Sequence, residues 1–125
     1  DARVTVQVSG DAEVNIETAH LRRALINLLS NAVQHTEAGQ QIAVVIEHTG
    51  KRASISISNP GQPISAEHLP HLFERFYRVD AARHNSGANH GLGLAIVKAI
   101  ALMHGGEVFV LSSAGKNTFG IHLPI

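Results

Sequence analysis

The chain has no cysteine, which excludes disulfide bonds and thiolate metal sites. It has no excess of either charge, because ten basic residues offset ten acidic ones. That balance argues against a nucleic acid or an anionic membrane surface as the main partner. No apolar run approaches the length needed to cross a bilayer, and no signal peptide is visible. The first residue is Asp1 rather than Met, and the chain reads as a fragment of a longer protein. What is present suits one globular domain. Its 125 residues are 44% hydrophobic and 16% charged, too apolar for disorder and long enough to bury one core.

Apolar periodicity gives the expected elements. Arg3 to Ser9 alternates, with Val4, Val6 and Val8 on one side, as in a half-buried strand. Gly10-Asp11 is expected to turn it so that Glu13 to Ile16 pairs back. Thr18 is expected to cap a helix running to about His35, with Leu21, Ala24, Leu25, Leu28 and Ala32 as its apolar stripe. Ile42 to His48 and Ala53 to Ser58 read as a hairpin around Gly50-Lys51. Asn59-Pro60-Gly61-Gln62-Pro63 is expected to be irregular, since proline cannot donate to a ladder. Ser65 opens a short helix through about Phe73. Val79 to His90 is polar and aperiodic, which reads as a mobile loop. Leu92 to Met103 is a further helix stopped by Gly105-Gly106, and Glu107 to Ser112 and Thr118 to Leu123 are two last strands. The order shows no βαβ alternation and suggests an α+β fold, with helices on one face of a mainly antiparallel sheet.

Four runs carry candidate chemistry. Asn27 and Asn31 lie four apart on one helix face that continues to Gln34 and His35 and borders the apolar stripe. Amides at a core edge look into a cleft, and an Asn oxygen suits Mg²⁺ shared with phosphate oxygens; the alternative is a plain polar flank. Asn59-Pro60-Gly61 ends a strand in a glycine turn, where backbone can approach a flat ligand and the Asn oxygen can accept from an exocyclic amine such as that of adenine; the alternative is an ordinary turn. Leu72 to Arg78 gathers Phe73, Phe76 and Tyr77 beside Arg75 and Arg78, either an anchor with arginines reaching phosphate or a hydrophobic staple. Gly91-Leu92-Gly93-Leu94 opens a helix after a loop, so its N–H groups and dipole favour an anion; the alternative is an ordinary helix start, which glycines also mark.

In order and spacing these runs resemble the catalytic domains of two-component sensor histidine kinases, within the wider ATPase group that includes gyrase and the ninety-kilodalton heat-shock chaperone. Asn27 to Ala32 is similar to the N box, Asn59 to Ile64 to the first glycine box, Phe73 to Arg78 to the F box, and Gly91 to Leu94 to the second glycine box. The resemblance implies a two-layer α/β sandwich with three helices on one face of a mixed sheet. It implies ATP and Mg²⁺ as cofactors, and phosphoryl transfer to a histidine on a separate dimerisation domain, then to an aspartate of a response regulator. Asn31 would bind Mg²⁺, with Asn27 positioning it and the phosphates. Gln34, His35, Asn59, Gly61 and Ile64 would line the nucleotide. Arg78 and Tyr77 would act near the γ-phosphate, and Gly91, Leu92, Gly93 and Leu94 would hold the phosphates. The full-length protein would be a membrane-anchored homodimer of the bacterial inner membrane, this domain its cytoplasmic, monomeric part. The wording around Asn59 and Asn31 is closest to the copper and silver sensors.

Four positions depart from that pattern. Asn59 stands where most members have Asp, Pro63 replaces a glycine, Asn89 replaces another, and Lys116-Asn117-Thr118 replaces the usual Gly-Thr before Phe119. An Asn amide can turn over to present its NH₂, so weaker discrimination against guanine is expected than with Asp. None of the nine histidines is followed by Asp or Glu, so the phosphoacceptor is not recognisable in the chain and it is expected to supply only the ATP side. Two other readings use the same residues: a non-catalytic ATP-binding switch, and a metal module built on histidines such as His68, His71, His84 and His90.

Overall fold

The computed structural model describes residues 5–10, 12, 14, 16–77 and 93–125. The expected strand start at Arg3 and Val4, and the expected mobile loop from Val79 to His90, lie outside the described residues.

The described elements are β1 (Thr5–Ser9), α1 (Thr18–Gln34), β2 (Gln41–Thr49), β3 (Arg52–Pro60), α2 (Gly93–Met103), β4 (Glu107–Ser113) and β5 (Lys116–Pro124). They form one sheet in the order β1-β2-β3-β5-β4. β1 pairs with β2 in parallel, and the other three pairings are antiparallel. The expected α+β fold, with its mixed and mostly antiparallel sheet, is what forms. Alternation along β3 and β5 turns Ile55, Ile57, Phe119, Ile121 and Leu123 inward. Ala24 and Leu28 of α1 and Val97, Ile100 and Ala101 of α2 complete the same core. Both helices bring small and branched residues to that seam, so they sit close to each other and to the sheet.

The amino end differs from the expected hairpin. Val14 and Ile16 pack against the core outside any strand, and α1 is the crossover that a parallel β1–β2 pair requires. The chain thus contains a βαβ unit that periodicity does not reveal. Val6 and Val8 do share the face of their partners Ile42 and Val44, but on an edge strand they remain 47% and 60% exposed.

There are two α-helices among the described residues rather than three. Between Ser65 and Phe73 only a 3₁₀ turn forms, at Leu69–His71. Pro70 has no N–H to give an α-helical ladder. The segment closes instead with three-residue bonds, from His68 N to Ser65 O, His71 N to His68 O and Glu74 N to His71 O. Nor does Thr18 cap α1: Glu17 holds the cap position in an extended conformation, without a side-chain bond. The far end of α1 is closed by Thr36, whose hydroxyl donates to Ala32 O at 2.5 Å. β3 also runs on through Asn59 and Pro60, where an irregular stretch is expected. Its pairing with β2 stops at Ser58, so Pro60 is paired only by Lys116 of β5, a position where a missing N–H is tolerated.

α2 ends as its glycines foretell. Gly105 takes φ +78°, donating to Leu102 O, while Gly106 N donates to Ala101 O. This pair of bonds is a Schellman closure, which needs the left-handed conformation at Gly105.

On the sheet face away from the helices, His122 stacks on Phe109 with ring centroids 4.4 Å apart. Beside it Arg52 and Glu107 form an ion pair at 2.8 Å. Burial, and next the Arg52 guanidinium, hold the His122 pKa below the ordinary 6.5, with Glu107 opposing. A lowered folded-state pKa means that the unfolded chain takes up the proton first on acidification. The neutral ring's contribution is complete above 6.5 and is lost as pH falls through the folded value. The urea midpoint of the parent should therefore fall more between about pH 7 and pH 5.5 than that of His122→Gln. A parallel fall in both would remove His122 as the cause.

Candidate functional site

Three buried polar side chains occur among the described residues, and all are asparagines: Asn31, Asn59 and Asn117. Each lies where its element would otherwise place an apolar residue. Asn31 follows Ala24 and Leu28 on the buried face of α1. Asn59 follows Ile55 and Ile57 along β3, and Asn117 precedes Phe119 along β5.

Asn31 is 4% exposed, and its Nδ2 is sealed from solvent with no hydrogen-bond partner. Such an orphan costs about 1–3 kcal/mol, so a fold keeps it for a reason. An amide offers nitrogen to a phosphate oxygen or oxygen to a hard cation. One turn earlier, half-buried Asn27 donates from Nδ2 to Gly93 O at 3.2 Å. That bond joins residues 66 apart in sequence and brings the asparagine face of α1 against the first turn of α2. Leu94, the next residue, packs against the core. Gln34 and His35 lie at the exposed end of the same helix face.

The second group of candidate residues lies at the end of β3. Asn59 is 2% exposed, and its Nδ2 donates to Pro60 O at 2.9 Å. Turning the amide over would set two oxygens at that distance, so the bond fixes the side-chain oxygen as the atom offered to a ligand. This bond opposes the expected turning over of the Asn59 amide. Its register partner is Asn117. A Cβ at Gly61 would lie 3.1 Å from Asn117 Nδ2 and 3.4 Å from Asn59 Nδ2, so a side chain there would press the Asn117 amide by a few tenths of an ångström. Ile64 packs on the core, and its N–H donates to Ser112 Oγ at 2.9 Å.

Tyr77 packs against the core and its hydroxyl bonds His68 Nδ1. The His71 ring lies 5.3 Å away. In this conformation the hydroxyl is engaged, which gives Tyr77 an anchoring place rather than a free one. Arg78, Gly91 and Leu92, expected at the phosphates, lie outside the described residues, as do Asn89, His84 and His90. Among the described residues no cluster of three or more histidine or carboxylate groups is placed to hold a metal. The residue that sequence reasoning noted only as a departure is Asn117. Its signal was the period-two run Asn117, Phe119, Ile121, Leu123, which aims an amide inward.

Buried or half-buried amides thus stand on the face of α1 that meets the first turn of α2 and at the end of β3, donor and acceptor groups of the kind that suit a polar or anionic ligand. The comparisons with known proteins give the family. Residues 16–125 match the family described as histidine kinase-, DNA gyrase B- and HSP90-like ATPases, and the chain belongs to that family. It is 46% identical over 125 residues to the sensor histidine kinase CusS of Escherichia coli O157:H7, covering 99% of this chain and 26% of CusS. It is 44% identical over 117 residues to the probable sensor kinase SilS of Salmonella typhimurium, covering 94% of this chain and 22% of SilS. Among solved structures, a mycobacterial sensor histidine kinase, MprB, superposes with a TM-score of 0.88 at 31% identity, covering 98% of this chain and 84% of that one. The chain spans about a quarter of the length of the curated relatives it matches. No helix of the described residues is long and apolar enough to cross a membrane.

Proposed function

We propose that this chain is the catalytic, ATP-binding part of a sensor histidine kinase. It binds ATP with Mg²⁺ and delivers the γ-phosphoryl group to a histidine on the dimerisation domain of the same kinase. A response-regulator aspartate then receives it. Membrane anchoring of the whole homodimeric protein and a heavy-metal stimulus belong to the same proposal, on the likeness to CusS and SilS.

The observation that carries this reading is the sealed, unpaired Nδ2 of Asn31, one turn from an Asn27 that is bonded to the start of α2. The chain's own residues do the positioning. Asn59 Oδ1 accepts from the exocyclic amine of adenine, and Gly61 leaves room for the ring. Asn27 holds α2 so that its positive end faces the phosphates, with Gly93 as the first helical residue. Asn31 supplies the amide oxygen that would hold Mg²⁺; the donor chemistry fits, since a hard neutral oxygen suits a cation that keeps waters and phosphate oxygens as its other ligands. When bound, that ion neutralises charge on the phosphates. Arg78, Gly91 and Leu92 are proposed at the phosphate end on the motif resemblance alone, as are Gln34, His35, Ile64 and Leu94 beside the nucleotide. The nucleophile being the histidine of the dimerisation domain, this chain contributes orientation and charge stabilisation.

The test is to supply a separately purified phosphoacceptor hairpin with γ-labelled ATP and this chain. Acid-labile, base-stable label on the hairpin histidine that needs Mg²⁺ is the expected result. ATP binding without label on the hairpin would point instead to a non-catalytic switch.

A further inference from the structure

The geometry points to Asn117 and Ser112 as positioning residues for the base-facing loop, which they hold in register for purine selection without touching the ligand. This rests on the nucleotide reading above.

A buried amide is costly unless its polar atoms are satisfied, and Asn117, 7% exposed, is satisfied at both ends. Its Oδ1 accepts from Ser112 Oγ at 2.6 Å. Its Nδ2 donates to Gln62 O at 2.9 Å. Ser112, having given its only proton to Asn117, accepts from Ile64 N–H at 2.9 Å. The bonds therefore run one way, from Ile64 N–H through the Ser112 hydroxyl to the Asn117 oxygen, and from the Asn117 NH₂ to the Gln62 carbonyl. Each end can fill only one role: a backbone N–H donates and a carbonyl accepts. The ring of bonds consequently fixes the amide orientation and spans residues 62 to 64 of the loop.

Few other bonds hold that loop. Pro60 and Pro63 have no N–H, and Gly61 N donates to Gly115 O at 3.0 Å. Asn117 Nδ2 also stands directly behind Gly61, while Asn59 ties itself to Pro60 O at the start of the same loop. Release of Asn117 would free Gln62 and, through the Ser112 link, the N–H of Ile64, leaving Gly61 held by its single bond to Gly115 O, and the acceptor of Asn59 would lose its fixed distance to the base. Purine selection depends on that distance, because an acceptor bond weakens steeply with misalignment.

The test uses competition binding of ATP and GTP against a fluorescent ATP analogue, well below each variant's melting temperature. Asn117→Ala should weaken ATP about tenfold and lower the ATP-over-GTP preference about fivefold. Ser112→Ala should shift both in the same direction, and the double variant should be no worse than Asn117→Ala alone, since the two act as one chain. A role in stability only would lower the melting temperature and leave the nucleotide ratio where it was. An ATP-over-GTP ratio within about twofold of the parent in both single variants would overturn the inference. Should Asn117→Ala not fold, Ser112→Ala alone decides by the same ratio. If the parent binds neither nucleotide, the nucleotide reading itself falls and this inference with it; if the parent selects ATP and the variants select it equally, only the inference falls.

Discussion

Asn31→Ala should give a folded domain that no longer supports Mg²⁺-dependent phosphotransfer. The two halves of that result come from the same observation. Asn31 Nδ2 is buried and unpaired, so its removal relieves an unsatisfied donor, which offsets the lost contacts of the side chain. Alanine is also the better helix former by roughly half a kcal/mol, and Asn31 lies inside α1 between Ser30 and Ala32. The melting temperature should stay within a few degrees of the parent's, on the order of a 1 kcal/mol change for a domain of this size. On the proposed role of Asn31 as the Mg²⁺-facing amide, transfer to the supplied hairpin should fall by about a hundredfold or more. Circular dichroism melts and labelled transfer, run on the same preparation, check both. Transfer within about threefold of the parent would remove Asn31 from the site. A large loss of stability would make it an ordinary core residue.

Asn59→Ala should weaken ATP by about 1–3 kcal/mol, since the exocyclic amine then enters a buried place with no acceptor. Asn59→Asp is the more telling change. A charged acceptor forms the stronger bond in isolation, roughly twice a neutral one. Here, however, the second side-chain atom faces Pro60 O at 2.9 Å, where an NH₂ donates and a carboxylate oxygen repels. The Asp variant should therefore bind ATP no more tightly than the parent and be less stable than it. Titration of both variants with ATP and GTP checks this. An Asp variant that binds ATP more than about threefold tighter would show that the Pro60 contact does not matter. GTP should bind the parent weakly, because the fixed oxygen of Asn59 meets a carbonyl on guanine.

Much of the molecule can be read from local pattern. α1, α2 and the β2–β3 and β4–β5 hairpins come from periodicities of 3.6 and 2, which short windows of sequence display. Both hairpins join strands that are neighbours in the chain, so their pairing needed no distant information. The end of α2 was legible for the same reason, because a left-handed turn after a helix is a local demand that Gly105 meets. Where reading failed, a competing local fact was overlooked or a distant one decided. Pro70 reduced an expected helix to a 3₁₀ turn. Pro60 was read as breaking β3, yet it sits where β2 no longer pairs, which sequence does not show.

The site divides along the same line. The asparagines at 27, 31 and 59 and the glycines at 61 and 93 were legible as candidates because their residue types and spacing suit amide, cation and phosphate chemistry. The tertiary structure alone decided that β1 lies parallel beside β2, that Asn27 reaches Gly93 across 66 residues, and that Asn117 closes a ring with Ser112 and Gln62. Sequence determines which groups a chain can offer and the local period that points them inward. Which of those groups meet depends on how separate elements pack, and only then is a buried amide either satisfied, as in Asn117, or left with an unpaired NH₂, as in Asn31.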